Sequence, residues 1–491
     1  MYHPTLAEIK DKKWDGNLIP VYHEIVADME TPVSAFLKIN RGGNSFLLES
    51  VEGGQRLARY SFIGTEPYRE LSFPGKDKTD PLNVIAEELH QYKIASLEGL
   101  PRFCGGAVGY LGYETVGRFE DLPSPEKDSL NLPEGRFMFV DTMLVFDHVM
   151  HKIKLLSYVK LNGDIDKGYQ TAIDKIDDLV ARLSKPYPNK KSVKRKSKAI
   201  SNFKLTSNFT RPDFERAVAK IKEYITEGEV IQVVLSQRLA QPTNLPPFEI
   251  YRALRTINPS PYMFYLDFKD FQIVGASPEV LVRVEDGNVM TRPLAGTRPR
   301  GKTPEEDIAL EKELRSDEKE RAEHIMLVDL GRNDIGRVSQ PGTVAVSELM
   351  EVERYSHVMH LVTHVQGKLR PEMNAFDALR ACFPAGTVSG APKVRAMEII
   401  AEMEPEKRGP YAGAAGYFSF SGNMDMAIAI RTMVVNKGVA YVQAGVGIVY
   451  DSVPEKEYEE SLNKARALLK ALEQAEGENT MIVPSPLMGE G

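Results

Sequence analysis

Apolar and polar positions alternate over residues 20–26 and 45–50, the period-two pattern of half-buried strands. Between them Thr31-Pro32 supplies an N-cap and a first-turn proline for a short helix ending at Ile39. Strand patterns return at 136–140 and 153–159, and helical spacing runs from about Asp164 to Leu183. Further on, Thr210 and Asp213 form a capping box ahead of Phe214, Val218, Ile221 and Ile225, and Gly228 stops that helix. Strands are predicted at 230–238, 262–268, 271–276 and 280–285, the last turning through Asp286-Gly287 into 289–291 as a tight hairpin. Helices follow at 305–316 and 318–331, strands at 343–347 and 357–367, and helices at 374–382 and 392–403. Two apolar strands, 427–435 and 439–444, flank Asn436-Lys437-Gly438, and an amphipathic helix from Glu455 to about Gln474 ends the pattern. Consecutive short strands predict antiparallel sheet in an α+β fold.

One stretch breaks the periodicity. From Lys185 to Lys198 the chain reads KPYPNKKSVKRKSK, a basic run with two prolines that predicts a linker. The expected organisation is therefore an N-terminal region at 1–184, a linker at 185–200, a second region at 201–475 and a disordered tail at 476–491. With 42% hydrophobic and 27% charged residues the 491-residue chain is ordinary for a globular enzyme. A net charge of −7 argues against a nucleic-acid surface, which would need concentrated Lys and Arg. Two cysteines, Cys104 and Cys382, exclude a disulfide framework and a cysteine zinc site. No basic, apolar leader and no run of about 18 apolar residues occurs, so a cytoplasmic protein is expected.

Gly296 to Thr303 satisfies the G-x-x-x-x-G-K-[ST] pattern of phosphate-cradling loops. Such a loop should follow a buried parallel strand, whereas a hairpin precedes this one and Pro299 removes a backbone donor. Residues 325–329 resemble an apolar strand ending in a magnesium-positioning Asp, but Glu318 to Glu323 lead into them with strong helix propensity. Nucleotide hydrolysis is thus a minor alternative. Small-residue turns at Gly386 to Lys393 and Gln443 to Gly447 would let backbone approach a ligand. With Arg298, Lys302, Lys393 and Arg431 they suggest a site for a carboxylated small molecule. Glu457, Glu460 and Lys464 share one helix face, and Glu323 lies on another helix. Such faces are commonly solvated charge, though Glu323 and Glu460 could converge on Mg2+, which takes one or two protein carboxylates plus substrate oxygens.

Several ordered motifs resemble the chorismate-utilising enzymes, and among them the anthranilate synthase component I branch. They are Leu47-Leu48-Glu49-Ser50, Gly105 to Tyr110, Asn258 to Phe264, Gly275 to Glu279, Arg292 to Thr297, Ala322 to Asp334, Thr387 to Lys393 and Glu457 to Lys464. The resemblance implies a mixed α/β sandwich of two packed antiparallel sheets with helices outside, the N-terminal region packed tightly on the catalytic one. It implies Mg2+ at Glu323 and Glu460, and chorismate contacts at Gly296, Thr297, Tyr411, Arg431, Gly445, Val446 and Gly447. Glu279 falls at the family's general-acid position, His360, within Tyr355 to Leu361, at that of a histidine needed for pyruvate elimination, and Thr387 in a motif near the substrate. A strand histidine with His357 and His364 nearby is more often structural, and only the motif favours catalysis at His360.

Relatives that use water place a Lys base where this chain has Gln232, and aminodeoxychorismate synthases place a nucleophilic Lys where it has Ala295. Direct attack by ammonia remains, with aminodeoxychorismate synthesis as the nearer alternative. Neither cysteine sits in a nucleophile turn with a partner histidine, so the resemblance implies a separate glutamine amidotransferase subunit in a heterodimer or heterotetramer. Glu49, Ser50, Pro261, Tyr262 and Met263 resemble a tryptophan site for feedback inhibition. A non-catalytic tryptophan-binding regulator is a further alternative.

Overall fold

The structure is a computed structural model describing residues 1–51, 59–75, 78–186, 205–355 and 358–478. Its strands form two antiparallel sheets. The first runs through Tyr2–His3, Leu18–Val26, Lys152–Lys160, Met143–Asp147, Tyr60–Thr65, Ser45–Glu49, Tyr262–Asp267, Phe271–Ser277, Thr432–Asn436, Val439–Ile448, Gln232–Pro242 and Thr206–Ser207. Gly390–Ala391 also pairs with Gln232–Pro242. The second runs through Leu294–Pro299, Val358–Lys368, Asn288–Thr291, Val280–Glu285, Met424–Ile428, Ala414–Ser419, Gly106–Leu111, Gly135–Val140 and Arg69–Phe73, with Ala345–Arg354 on the outer side of Val358–Lys368. In each sheet a block of strands from before the basic segment meets a block from after it at a single seam. Ser45–Glu49 pairs with Tyr262–Asp267, and Gly106–Leu111 with Ala414–Ser419.

The alternation of side chains decides the layers. Along Tyr262–Asp267, Phe264 and Leu266 point between the sheets into a cluster with Phe46, Phe103, Tyr110 and Tyr417. Met263 and Tyr265 point outward, beneath the helices Pro32–Ile39, Ile165–Leu183, Pro247–Ile257 and Pro454–Glu478. The second sheet's outer face is covered by Pro81–His90, Glu318–Gly336 and Ala375–Cys382, and Arg211–Thr226 and Lys393–Met403 join the same core. The expected α+β sandwich with helices outside is what the chain forms. Among the described residues no helix is long and apolar enough to cross a membrane.

Most predicted elements are present within a few residues, including the helix capped by Thr210, whose side chain accepts from the Asp213 N–H. Two expectations are corrected. The apolar run 427–435 is not one strand: Met424–Ile428 belongs to the second sheet and Thr432–Asn436 to the first, and Arg431, at φ +50°, turns the chain between them. Residues 443–447 are not a turn but the interior of Val439–Ile448, where glycines admit close neighbours rather than bend the backbone. Residues 294–299, which overlap the loop pattern beginning at Gly296, are an edge strand with a bulge after Ala295. The last helix continues to Glu478. Most of the basic segment, Ser356, His357 and residues 479–491 lie outside the described residues.

Candidate active site

Two neighbouring strands leave the first sheet for the second side by side, and the site is built where they cross. Phe271–Ser277 continues through Pro278-Glu279 into Val280–Glu285, while Met424–Ile428 continues through Ala429-Ile430-Arg431 into Thr432–Asn436. The crossings are tied by the Ile428 N–H donating to the Glu279 carbonyl at 3.1 Å and the Ala276 N–H to the Arg431 carbonyl at 3.0 Å. Glu279 and Arg431 therefore share one corner of the sandwich, although 152 residues separate them.

Glu279 is buried, and burial pushes its carboxyl up to about 8, so it holds its proton at neutral pH. The Thr387 hydroxyl donates to Oε1 at 2.8 Å and pulls the value the other way, as do the Leu294 N–H and the Arg292 charge. Thr387 is presented by a one-turn 3-10 helix, Gly386–Val388. His360, half-buried on Val358–Lys368, has Nδ1 2.8 Å from the Gly296 carbonyl and 3.1 Å from the Thr297 hydroxyl. A carbonyl only accepts, so Nδ1 carries the hydrogen and Nε2 keeps its lone pair. Burial lowers its pKa below the ordinary 6.5, and the Arg431 charge lowers it further. At neutral pH both His360 and Glu279 are therefore uncharged.

Arg431 is half-buried, and burial lowers its pKa while the Tyr411 ring oxygen opposes that. Its Nη1 donates to the Lys464 carbonyl at 2.9 Å. Among the described residues no carboxylate lies within ion-pair distance of it. The other cations singled out by sequence differ: Arg298 pairs with Glu313, Asp317 and Glu320, Lys393 pairs with Asp334, and Lys302 is exposed. Of that set, Arg431 alone is both partly desolvated and uncompensated. Tyr411 is buried, takes a hydrogen bond from the Gly445 N–H, and is pushed up to about 12 chiefly by burial. A Cβ at Gly445 would stand 2.7 Å from the Tyr411 hydroxyl, and one at Gly447 2.4 Å from Gln232 Nε2. Val446 is buried between them.

The two candidate metal ligands lie on separate helices joined by Lys464. Its ammonium is 2.9 Å from Glu460 and lowers the pKa of Glu323, which burial and then Glu320 raise and the Gln232 side chain hydrogen-bonds. Glu457 is likewise raised, first by burial, with Glu460 adding to it. Among the described residues no three His, Cys, Asp or Glu gather as a ready-made metal cluster. Two hard oxygen donors set among further carboxylates still fit Mg2+ completed by substrate oxygens. The phosphate-loop reading has no support, since the Gly301 and Lys302 N–H groups donate to Asp307 and Glu306 of the following helix.

Glu49 and Met263 are register partners on adjacent strands, and Met263 faces Ala276, whose N–H reaches Arg431. Glu49 is buried and engaged, by a bidentate contact from Arg255 at 3.1 and 3.2 Å and by the Tyr251 hydroxyl at 2.5 Å. Ser50 follows it, half-buried, and Pro261 is buried. Tyr262 points the opposite way from Met263, between the sheets, donating to Asp425 and accepting from Arg283. Sequence reasoning missed Arg408, fully buried, which pairs with Glu404 and donates to the carbonyls of Val388, beside Thr387, and Val234. The Glu404–Arg408 spacing of four was the available signal, but it is equally common on exposed helices.

A family model described as chorismate binding enzyme matches residues 43–470. The chain belongs to this family of chorismate binding enzymes. It is 54% identical to the anthranilate synthase component 1 of Acetivibrio thermocellus, over 97% of this chain and 99% of that protein. With the protein of the same name from Aquifex aeolicus it is 49% identical, over 96% and 98%. The crystal structure of anthranilate synthase component I from Streptococcus pneumoniae superposes with a TM-score of 0.76 at 40% identity, covering 90% of this chain and 98% of that one.

Proposed function

We propose that the chain is component I of an anthranilate synthase, converting chorismate and ammonia to anthranilate and pyruvate. The observation that carries this reading is Arg431, a partly desolvated guanidinium without a carboxylate partner beside the neutral His360. Near full-length likeness to proteins bearing that name supports it. Arg431 offers a bidentate fork to a substrate carboxylate, and the Gly445–Gly447 stretch and Gly296-Thr297 admit the ring close to backbone. Glu279 gives its proton to the C4 hydroxyl as that group leaves, while ammonia bonds to C2. Nε2 of His360 then takes the C2 proton as the C3–O bond breaks, and a proton returned to the methylene carbon of the departing enolpyruvyl group makes it pyruvate. Bound at Glu323 and Glu460, Mg2+ would orient the ring carboxylate and stabilise its charge.

Gln232, beside Gly447 and Glu323, cannot act as the base that activates water, and Ala295 cannot act as a nucleophile, which leaves ammonia. Cys104 and Cys382 are both buried, so a separate amidotransferase chain supplies the ammonia from glutamine. In this reading the reaction opens tryptophan synthesis in the cytoplasm, and tryptophan inhibits it at Glu49, Ser50 and Pro261 to Met263. The line of register partners from Glu49 through Met263 to Ala276, whose N–H donates to the Arg431 carbonyl, supports such coupling.

One assay tests the reading. The purified chain with chorismate, Mg2+ and ammonium should produce anthranilate fluorescence. Glutamine in place of ammonium should give none until an amidotransferase is added, and tryptophan should slow the wild type but not Ser50→Phe. No anthranilate from ammonium overturns the proposal.

A further inference from the structure

Glu279 donates one proton per turnover, yet it is buried and must regain that proton before the next. Beside it lies a cavity of about 30 Å3, lined by Glu279, Thr387, Leu327, Leu330, Asp334 and Cys382 among others. That is room for about two waters, at roughly 10–15 Å3 each, and its wall carries the polar partners that a water requires. Asp334, on Glu318–Gly336, also lines it, with the Lys393 ammonium 2.7 Å from Oδ2. The side chains of Lys393 and Asp334 are 15% and 10% exposed, so the pair meets solvent at one end and the cavity at the other.

We propose that Asp334, steadied by Lys393, returns a proton from solvent to Glu279 through water in this cavity. The inference rests on the functional reading above. Protons balance: ammonia adding at C2 forms an ammonium that loses one proton to solvent. The C4–O bond breaks, and the hydroxyl leaves as water with the Glu279 proton. One proton passing by way of Asp334 restores the Glu279 carboxyl. The charged groups around the path are few, Arg292 toward Glu279 and Lys393 and Arg337 toward Asp334. Burial raises the Asp334 carboxyl, which suits it to carry a proton, while the buried Cys382 thiol stays protonated. Asp334 touches no substrate atom and acts through Glu279.

The test separates the first turnover from later ones. With ammonium as nitrogen source, Asp334→Asn should form its first anthranilate within about twofold of the wild-type rate, because Glu279 begins protonated. Its steady-state rate should then fall about tenfold or more, the scale of a lost proton transfer, with the KM for chorismate unchanged. Asp334→Ser should show the same burst and regain steady-state rate with added formate. A purely structural Asp334 would slow both phases together. That result, or wild-type steady turnover in both variants, overturns the relay. Failure of the wild type to make anthranilate instead overturns the functional reading, and the relay with it.

Discussion

In the proposed reaction the hydrogen bond between Thr387 and Glu279 helps to set the working pH. Burial holds the carboxyl protonated up to about 8, and the Thr387 hydroxyl, which favours the ionised form, restrains that rise. A general acid works only while protonated, so turnover with ammonium should fall as pH rises through about 8. On the acid side it should fall as His360 gains a proton, below its ordinary 6.5. Thr387→Val removes a bond to the carboxylate, so the alkaline break should move to higher pH while the acid limb stays. A kcat–pH profile of both proteins measures this, and an unmoved alkaline break would exclude Glu279 as the acid. The residue types were legible in the motifs, but their states were not. Arg298, Lys302, Lys393 and Arg431 read alike in sequence, and only the fold shows three of them paired or exposed.

Helices were legible where caps and apolar spacing agree, as at Thr31, Thr210 and the Glu455 start. Sheet membership was not, because a strand's sequence records which faces are buried and not which neighbour it pairs with. The run 427–435 shows this: its residues are apolar on both sides of the crossing, and the break rests on Arg431 turning to positive φ. Elsewhere the buried Arg408 joins the end of Lys393–Met403 to the Gly386–Val388 turn, which carries Thr387, and to Gln232–Pro242. Removing it strands Glu404 as a buried charge that still accepts from the Ser236 N–H and hydroxyl at 2.8 Å. Arg408→Met should therefore cost about 3–5 kcal/mol, read as a drop in thermal midpoint, and Arg408→Met with Glu404→Leu should recover part of it. A double variant no more stable than the single one would show that the pair's worth lies in its carbonyl contacts instead.

At the scale of the molecule, both sheets draw strands from before and after the basic segment, and the cluster between them does the same. Phe46 and Phe103 from the first part pack with Phe264 and Tyr417 from the second. Neither part can close that core alone, since each would expose aromatic faces and unpaired strand edges such as Ser45–Glu49 or Tyr262–Asp267. Composition pointed to a linker near 195 because a solvated basic run looks the same whether it joins independent domains or two halves of one sandwich. The peptide bond after Arg195 should therefore be dispensable while the association is not. Fragments 1–195 and 196–491, produced together, should copurify and form anthranilate from chorismate and ammonium, whereas either one alone should aggregate or remain unfolded. A soluble, active 196–491 fragment would show that the C-terminal strands complete a sandwich of their own.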